Sequence, residues 1–189
     1  MNRCNKSVIL GLGGWSDRTI WPLNWIKTVV ETKVLGFIVN NSYKDILHKN
    51  WSLQLSKFTS TLHSWSSRII DSIYQRAEVV TVFALSKVWY RGTVLPLPEK
   101  FAILFEKEIS KFLWKGNIVR NVLSKATVSL PKNKGGLGLP CIRLKCRSLF
   151  MRQIFRTLHN GNRDCKHYDF WIGNRLNLPN LVSTGFLSK

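Results

Sequence analysis

Acidic residues are scarce in this chain: ten Asp and Glu stand against 29 Lys and Arg among 189 residues, a formal charge of +19. No two acids are adjacent, and Glu106 and Glu108 lie two apart on an expected helix, where they project to different faces. A two-metal phosphoryl-transfer centre needs converging carboxylates to hold hard cations, so no metal site of that kind is expected. Cysteine is also sparse. Cys4, Cys141, Cys146 and Cys165 are too few and too uneven for a disulfide scaffold, which favours reduced thiols and an intracellular location, nucleus or cytoplasm. No run approaches the roughly 18 apolar residues of a spanning helix, so no membrane partner is expected. The opening "MNRCNKSVILGLGGWS" is broken by glycine and lacks an A-x-A cleavage pattern, against a secretory signal.

Other chemistries fail on spacing. Cys141, Cys146, Cys165 and His167 give C-x4-C-x18-C-x-H, which fits neither a zinc finger nor a knuckle. His48, His63 and His159 are lone, with no nucleophile elbow to complete a triad. The stretch "PKNKGGLGLP", Pro131 to Pro140, lacks the spacing of a phosphate loop and no helix-opening G-x-G-x-x-G replaces it. No small-molecule substrate is indicated.

What remains is a chain that is 44% apolar, enough for a core, with a charge that calls for a polyanionic partner. The excess is uneven. Lys111 to Arg175 holds 14 basic residues against Asp164 and Asp169, whereas residues 51–110 hold seven basic against five acidic. A solvated face mixes both signs, so the imbalance favours a contact surface, with nucleic acid the leading partner.

Periodicity predicts an α+β, mostly helical fold. "TVVETKVLGFIV", Thr28 to Val39, is rich in β-branched residues and reads as two short strands or a hairpin kinked at Gly36. Trp51, Leu55, Phe58, Leu62 and Trp65 form one helical stripe, which assigns both tryptophans to the core. Ile70, Ile73, Ala77, Val80, Ala84 and Val88 trace a second helix packed on the first. "LPLPE" ends that unit, and Phe101, Leu104, Phe105, Glu108 and Phe112 mark a third, with Ile109 and Trp114 on its apolar side and Glu106 and Lys107 on its wet one. "ATVSLP" reads as a short strand, "KNKGG" as a turn and "LGLP" as an extended return, before a helix from Lys145 to His159 and a loosely ordered tail. Trp21, Trp25, Trp89, Trp114 and Trp171 are undecided between core and base stacking.

The pieces also follow one another in a familiar order. "NKS" (Asn5 to Ser7), "KVLGFIV" (Lys33 to Val39), "LHSWSSRIIDSIYQRAEVV" (Leu62 to Val80), "LSKVWY" (Leu85 to Tyr90), "LPLP", "FEKEISKFLWKG" (Phe105 to Gly116) and "KNKGGLGLP" cover roughly residues 5–150. This succession resembles the segment just downstream of the catalytic palm motif in reverse transcriptases of non-LTR, LINE-type retrotransposons.

The resemblance implies three units: the C-terminal edge of a polymerase palm at 1–42, a helical thumb bundle at 43–116, and a connector of strand, turn and helix at 117–189. Lys6, Lys33, Leu35 and Gly36 would occupy the palm-edge places near a primer terminus. Arg68, Arg76 and Lys87 match the basic positions of a thumb that follows a template–primer duplex. Gly135 and Gly136 are expected to form a positive-φ turn with Gly138 nearby, and Lys132 and Lys134 to reach phosphates. The Asp-Asp pair that holds magnesium in the complete enzyme precedes "NKS" in the family and is absent here, so this chain alone is expected to bind RNA or an RNA–DNA hybrid, with weak sequence preference and without catalysis or a cofactor. The alternatives are a domesticated adaptor and an unfolded remnant.

Overall fold

Strand formation begins where the β-branched residues concentrate. The computed structural model describes residues 7–11, 26–70, 72–115 and 125–159. Two strands, β1 (Val8–Leu10) and β2 (Lys27–Val29), pair in parallel. Then β3 (Glu31–Val34) and β4 (Phe37–Asn40) form the expected hairpin, antiparallel with Val34 opposite Phe37. Its two-residue turn, Leu35 and Gly36, has φ of 49° and 87°. Positive φ at both central residues matches the right-handed twist of the flanking strands, and Gly36 adopts it without a Cβ penalty.

Helix α1 (Tyr43–Ser66) starts where Ser42 accepts a hydrogen bond from Asp45 N at 3.3 Å, satisfying one free amide of the first turn. Asp45 also complements the positive end of the helix dipole. Trp51, Phe58 and Leu62 are buried, and the Trp51 indole donates to Pro96 O at 2.9 Å. Trp65 is an exception: it is only half-buried, beside the exposed ring of Phe83.

The second helical run is continuous but not uniform. It comprises α2 (Ile73–Val79), a π-helical turn at Val80–Leu85, and α3 (Ser86–Val94). In an uninterrupted α-helix, residues three and four beyond Val80 would share its buried face. Here the wider π turn buries Ala84 and Leu85 instead and leaves Phe83 45% exposed. Ile70 lies ahead of this helix, which is capped by Ser72.

Helix α4 (Glu99–Leu113) buries Phe101, Ala102, Phe105 and Leu113. The Phe105 ring meets Phe58 edge-on at 5.0 Å and Trp51 at 6.2 Å, the offset geometry that aromatic quadrupoles favour. Leu104, Ile109, Phe112, Trp89 and Trp114 pack partly buried around this core. His48 sits edge-on to Phe101.

The strand expected at "ATVSLP" is instead a short helix, α5 (Lys125–Ser129). An isolated strand leaves its backbone groups unpaired, and the nearby chain reaches only its carbonyls, Leu139 N to Val128 O at 3.3 Å, Gly138 N to Leu130 O at 2.8 Å and Gly136 N to Pro131 O at 3.1 Å among the described residues; a helical turn satisfies the remaining groups locally. A 3-10 turn at Lys132–Lys134 follows. Gly135 and Gly138 have positive φ, as a tight turn needs, but Gly136 does not. The glycine requirement at 136 is one of space: a Cβ there would lie 2.0 Å from Leu130 O. Leu137 and Leu139 are buried around exposed Gly138 and lead into α6 (Ile142–His159). Ile142 and Cys146 join the core formed by Trp51, Phe58 and Phe105. The architecture is α+β and mostly helical. Lys6, Trp21, Trp25, Trp171, the ligand candidates Cys165 and His167, and the tail beyond His159 lie outside the described residues.

Candidate nucleic-acid interface

Surface cations divide into those held by a carboxylate and those left over. Glu31 pairs with Lys49, Glu78 with Lys132, Glu99 and Glu106 with Arg143, and Glu108 with Lys111. The hydrogen bond that Lys49 donates to Glu31 raises its ammonium above its ordinary value, and the one that Arg143 donates to Glu106 does the same for the guanidinium. Lys132 is therefore compensated, yet it is half-exposed, and such surface pairs contribute roughly 0–1 kcal/mol, too little to hold it from a phosphate. Lys134 and Lys33 are exposed.

Two cations with no carboxylate partner among the described residues, Arg68 and Lys87, lie by aromatic rings along one face of α1 and the α2–α3 run. The Arg68 guanidinium lies 4.2 Å from the centre of the Trp65 ring, and Trp65 stacks on Phe83 with centroids 4.7 Å apart. Phe83, Lys87 and Tyr90 follow at offsets of four and three, so they share a surface. Lys87 Nζ reaches Thr61 Oγ1 at 3.5 Å, one turn before Trp65 on α1. Tyr90, 56% exposed, donates its hydroxyl to Leu35 O at 3.1 Å and so ties the strip to the hairpin tip. From Phe83 to Tyr90 the helix runs about 10 Å, over which one strand presents about three phosphates. Cations that reach phosphates beside rings that accept bases are the elements of sequence-tolerant strand binding.

Of the thumb-like positions, Arg68 and Lys87 lie on this strip and Arg76 does not. Arg76 is buried, donating through Nε and Nη2 to Ile70 O at 3.2 and 2.7 Å and through Nη1 to Leu113 O at 3.1 Å. It clamps the end of α4 to the segment before α2. The rings of Phe83 and Tyr90 were not foreseen as site residues, because their exposure depends on the π turn. Helix α6 carries further exposed cations: Lys145, Arg152 and Arg156 share one face and Arg147 lies on another.

No site for magnesium is built by the described acids. Five glutamates are engaged with four cations, Glu99 and Glu106 sharing Arg143, and no three His, Cys, Asp or Glu side chains gather among the described residues. Cys146 is 1% exposed, and burial pushes its thiol up to about 12. No helix among the described residues is long and apolar enough to cross a membrane.

No family model matches the chain. Over 88 residues, 47% of its length, the chain is 32% identical to the "Transposon TX1 uncharacterized 149 kDa protein" of Xenopus laevis, of which it covers 6%. That likeness supports an origin of this chain in a transposon.

Proposed function

We propose that this chain is a segment of a retrotransposon reverse transcriptase, from palm edge through thumb to connector, that binds RNA or an RNA–DNA hybrid without catalysing polymerisation. The observation that carries this reading is the strip of Arg68, Trp65, Phe83, Lys87 and Tyr90, where cations with no carboxylate partner among the described residues alternate with half-buried and exposed rings on one face. The order of the sequence motifs and the likeness to a transposon-encoded protein support it. Lys33 at the hairpin and Lys132 and Lys134 at the glycine turn extend the contact in this reading, and Lys6 belongs to the palm edge. In this reading magnesium belongs to the complete enzyme. A nuclear or cytoplasmic location goes with the same reading.

The test is fluorescence anisotropy with a labelled RNA–DNA hybrid and a single-stranded RNA across a salt series. The logarithm of affinity should fall linearly with the logarithm of salt, and Arg68→Ala with Lys87→Ala should reduce the slope by about two. Flat binding across the series overturns the reading. Primer extension with magnesium should yield no product.

A further inference from the structure

Beyond the Arg68 end of the strip, the chain between α1 and α2 and the end of α4 enclose a cleft of about 470 Å3. Arg68, Arg76, Lys111 and Lys115 line it, with Trp65 and Phe112 as walls, and none of the lining residues among those described is acidic. Lys111 shares its charge with Glu108, 2.7 Å away outside the lining. Arg76 is different, because its buried charge meets only backbone carbonyls among the described residues. A buried cation is ordinarily matched by a carboxylate, and one that is not leaves a positive potential in a site where water screens poorly. Three of its five N–H donors are used by Ile70 O and Leu113 O, and the other two meet no acceptor among the described residues, so they can serve a ligand. Lys115 stands with φ of 50°, a conformation that glycine fills at less cost, so a lysine occupies a place the backbone disfavours.

The geometry points to a phosphoryl-binding site in this cleft: phosphate oxygens accept from Arg76 and Arg68, Lys115 supplies a further charge, and the Trp65 and Phe112 rings flank the attached group. Planar guanidinium forks match the spacing of phosphate oxygens, and two arginines on one cleft give that match twice. The phosphoryl group comes either from a nucleic-acid strand continuing off the strip or from a free nucleotide. Only the first source rests on the strand-binding reading above.

The experiment is titration of inorganic phosphate into the full chain, followed by the Arg76 Nε–H and Trp65 indole N–H resonances. Both should shift, and Arg68→Gln with Lys115→Gln should weaken phosphate binding at least tenfold, while Lys100→Gln at the far end of α4 stays within twofold. Arg68 and Lys115 are exposed, so the double variant should fold, and the wild-type shift at Arg76 needs no variant at all. No shift at Arg76, or equal affinity in the double variant and the wild type, overturns the site. A hexauridylate that displaces phosphate at lower concentration than a nucleoside triphosphate assigns the site to a strand, and the reverse order assigns it to a free nucleotide. Phosphate binding without any oligonucleotide binding would sink the strand reading and leave the site standing. Oligonucleotide binding with no phosphate shift would do the opposite.

Discussion

Arg91 of α3 donates through Nη1 to Asn50 Oδ1 of α1 at 2.7 Å, inside the junction where the hairpin meets the helices. Its Nε donates to Gln54 Oε1 at 2.9 Å and its Nη2 reaches Gly36 O at 3.4 Å. Asn50 in turn accepts from Ile38 N at 2.9 Å and donates to Ile38 O at 2.8 Å, serving β4 as another strand would. Burial lowers the Arg91 guanidinium from its ordinary value, and the neutral acceptors around it hold a charge that has no carboxylate among them. The network holds the hairpin tip beside Tyr90 and so joins the hairpin to the strip.

Arg91→Lys should therefore cost about 2–3 kcal/mol in urea denaturation, since one ammonium cannot serve three acceptors fanned around a planar fork. Amide exchange at Gly36 and Ile38 should quicken in the same variant. An unchanged midpoint would mean that other contacts hold the hairpin.

Leu35 is 83% exposed at φ of 49°, a conformation that costs a branched L-residue about 1–2 kcal/mol. Leu35→Asn should raise stability by about 1 kcal/mol, because Asn-Gly is the favoured pair of such turns. The Tyr90 bond goes to the backbone carbonyl and survives the change. A lower melting temperature would count against the turn geometry.

Adjacent glycines should respond differently. Gly136→Ala drives a Cβ into Leu130 O and should cost about 2–3 kcal/mol, by the measure of an overpacked site. Gly135→Asn, at φ of 76° with nothing within 4 Å of its Cβ position, should change stability by less than about 1 kcal/mol. Equal losses would mean that both positions are limited by φ alone.

The Cys146 thiol, packed over Gly92, should resist maleimide at pH 8 in the native protein while Cys141 reacts. In the unfolded chain the thiol ionises near 9.0, and in the folded chain near about 12. The native state therefore binds more protons between these values, and stability is complete below pH 9.0 and declines toward about 12. Cys146→Ala should flatten that decline relative to wild type, read from urea midpoints at pH 8, 9.5 and 10.5.

Much of this molecule was legible locally. The hairpin at Thr28 to Val39, the stripe Trp51, Phe58 and Leu62, the proline break at Leu95 to Pro98 and the turn at Lys132 to Gly135 follow from β-branching, helical period and backbone freedom, all properties of neighbouring residues. Local reading went astray at "ATVSLP", where β propensity pointed to a strand but no partner edge was there to receive it. It also placed Trp65 in the core and Gly136 at positive φ.

Sequence by itself determined the charge imbalance, the helical period and the scarcity of acids, because these depend on composition and spacing along the chain. Tertiary structure alone decided which cations pair with which carboxylates among the described residues, that Arg76 and Arg91 turn inward, and that Phe83 turns outward to meet Trp65. The reason is physical: a π turn and a buried guanidinium are chosen by packing between segments distant in sequence, whose energies no local pattern contains.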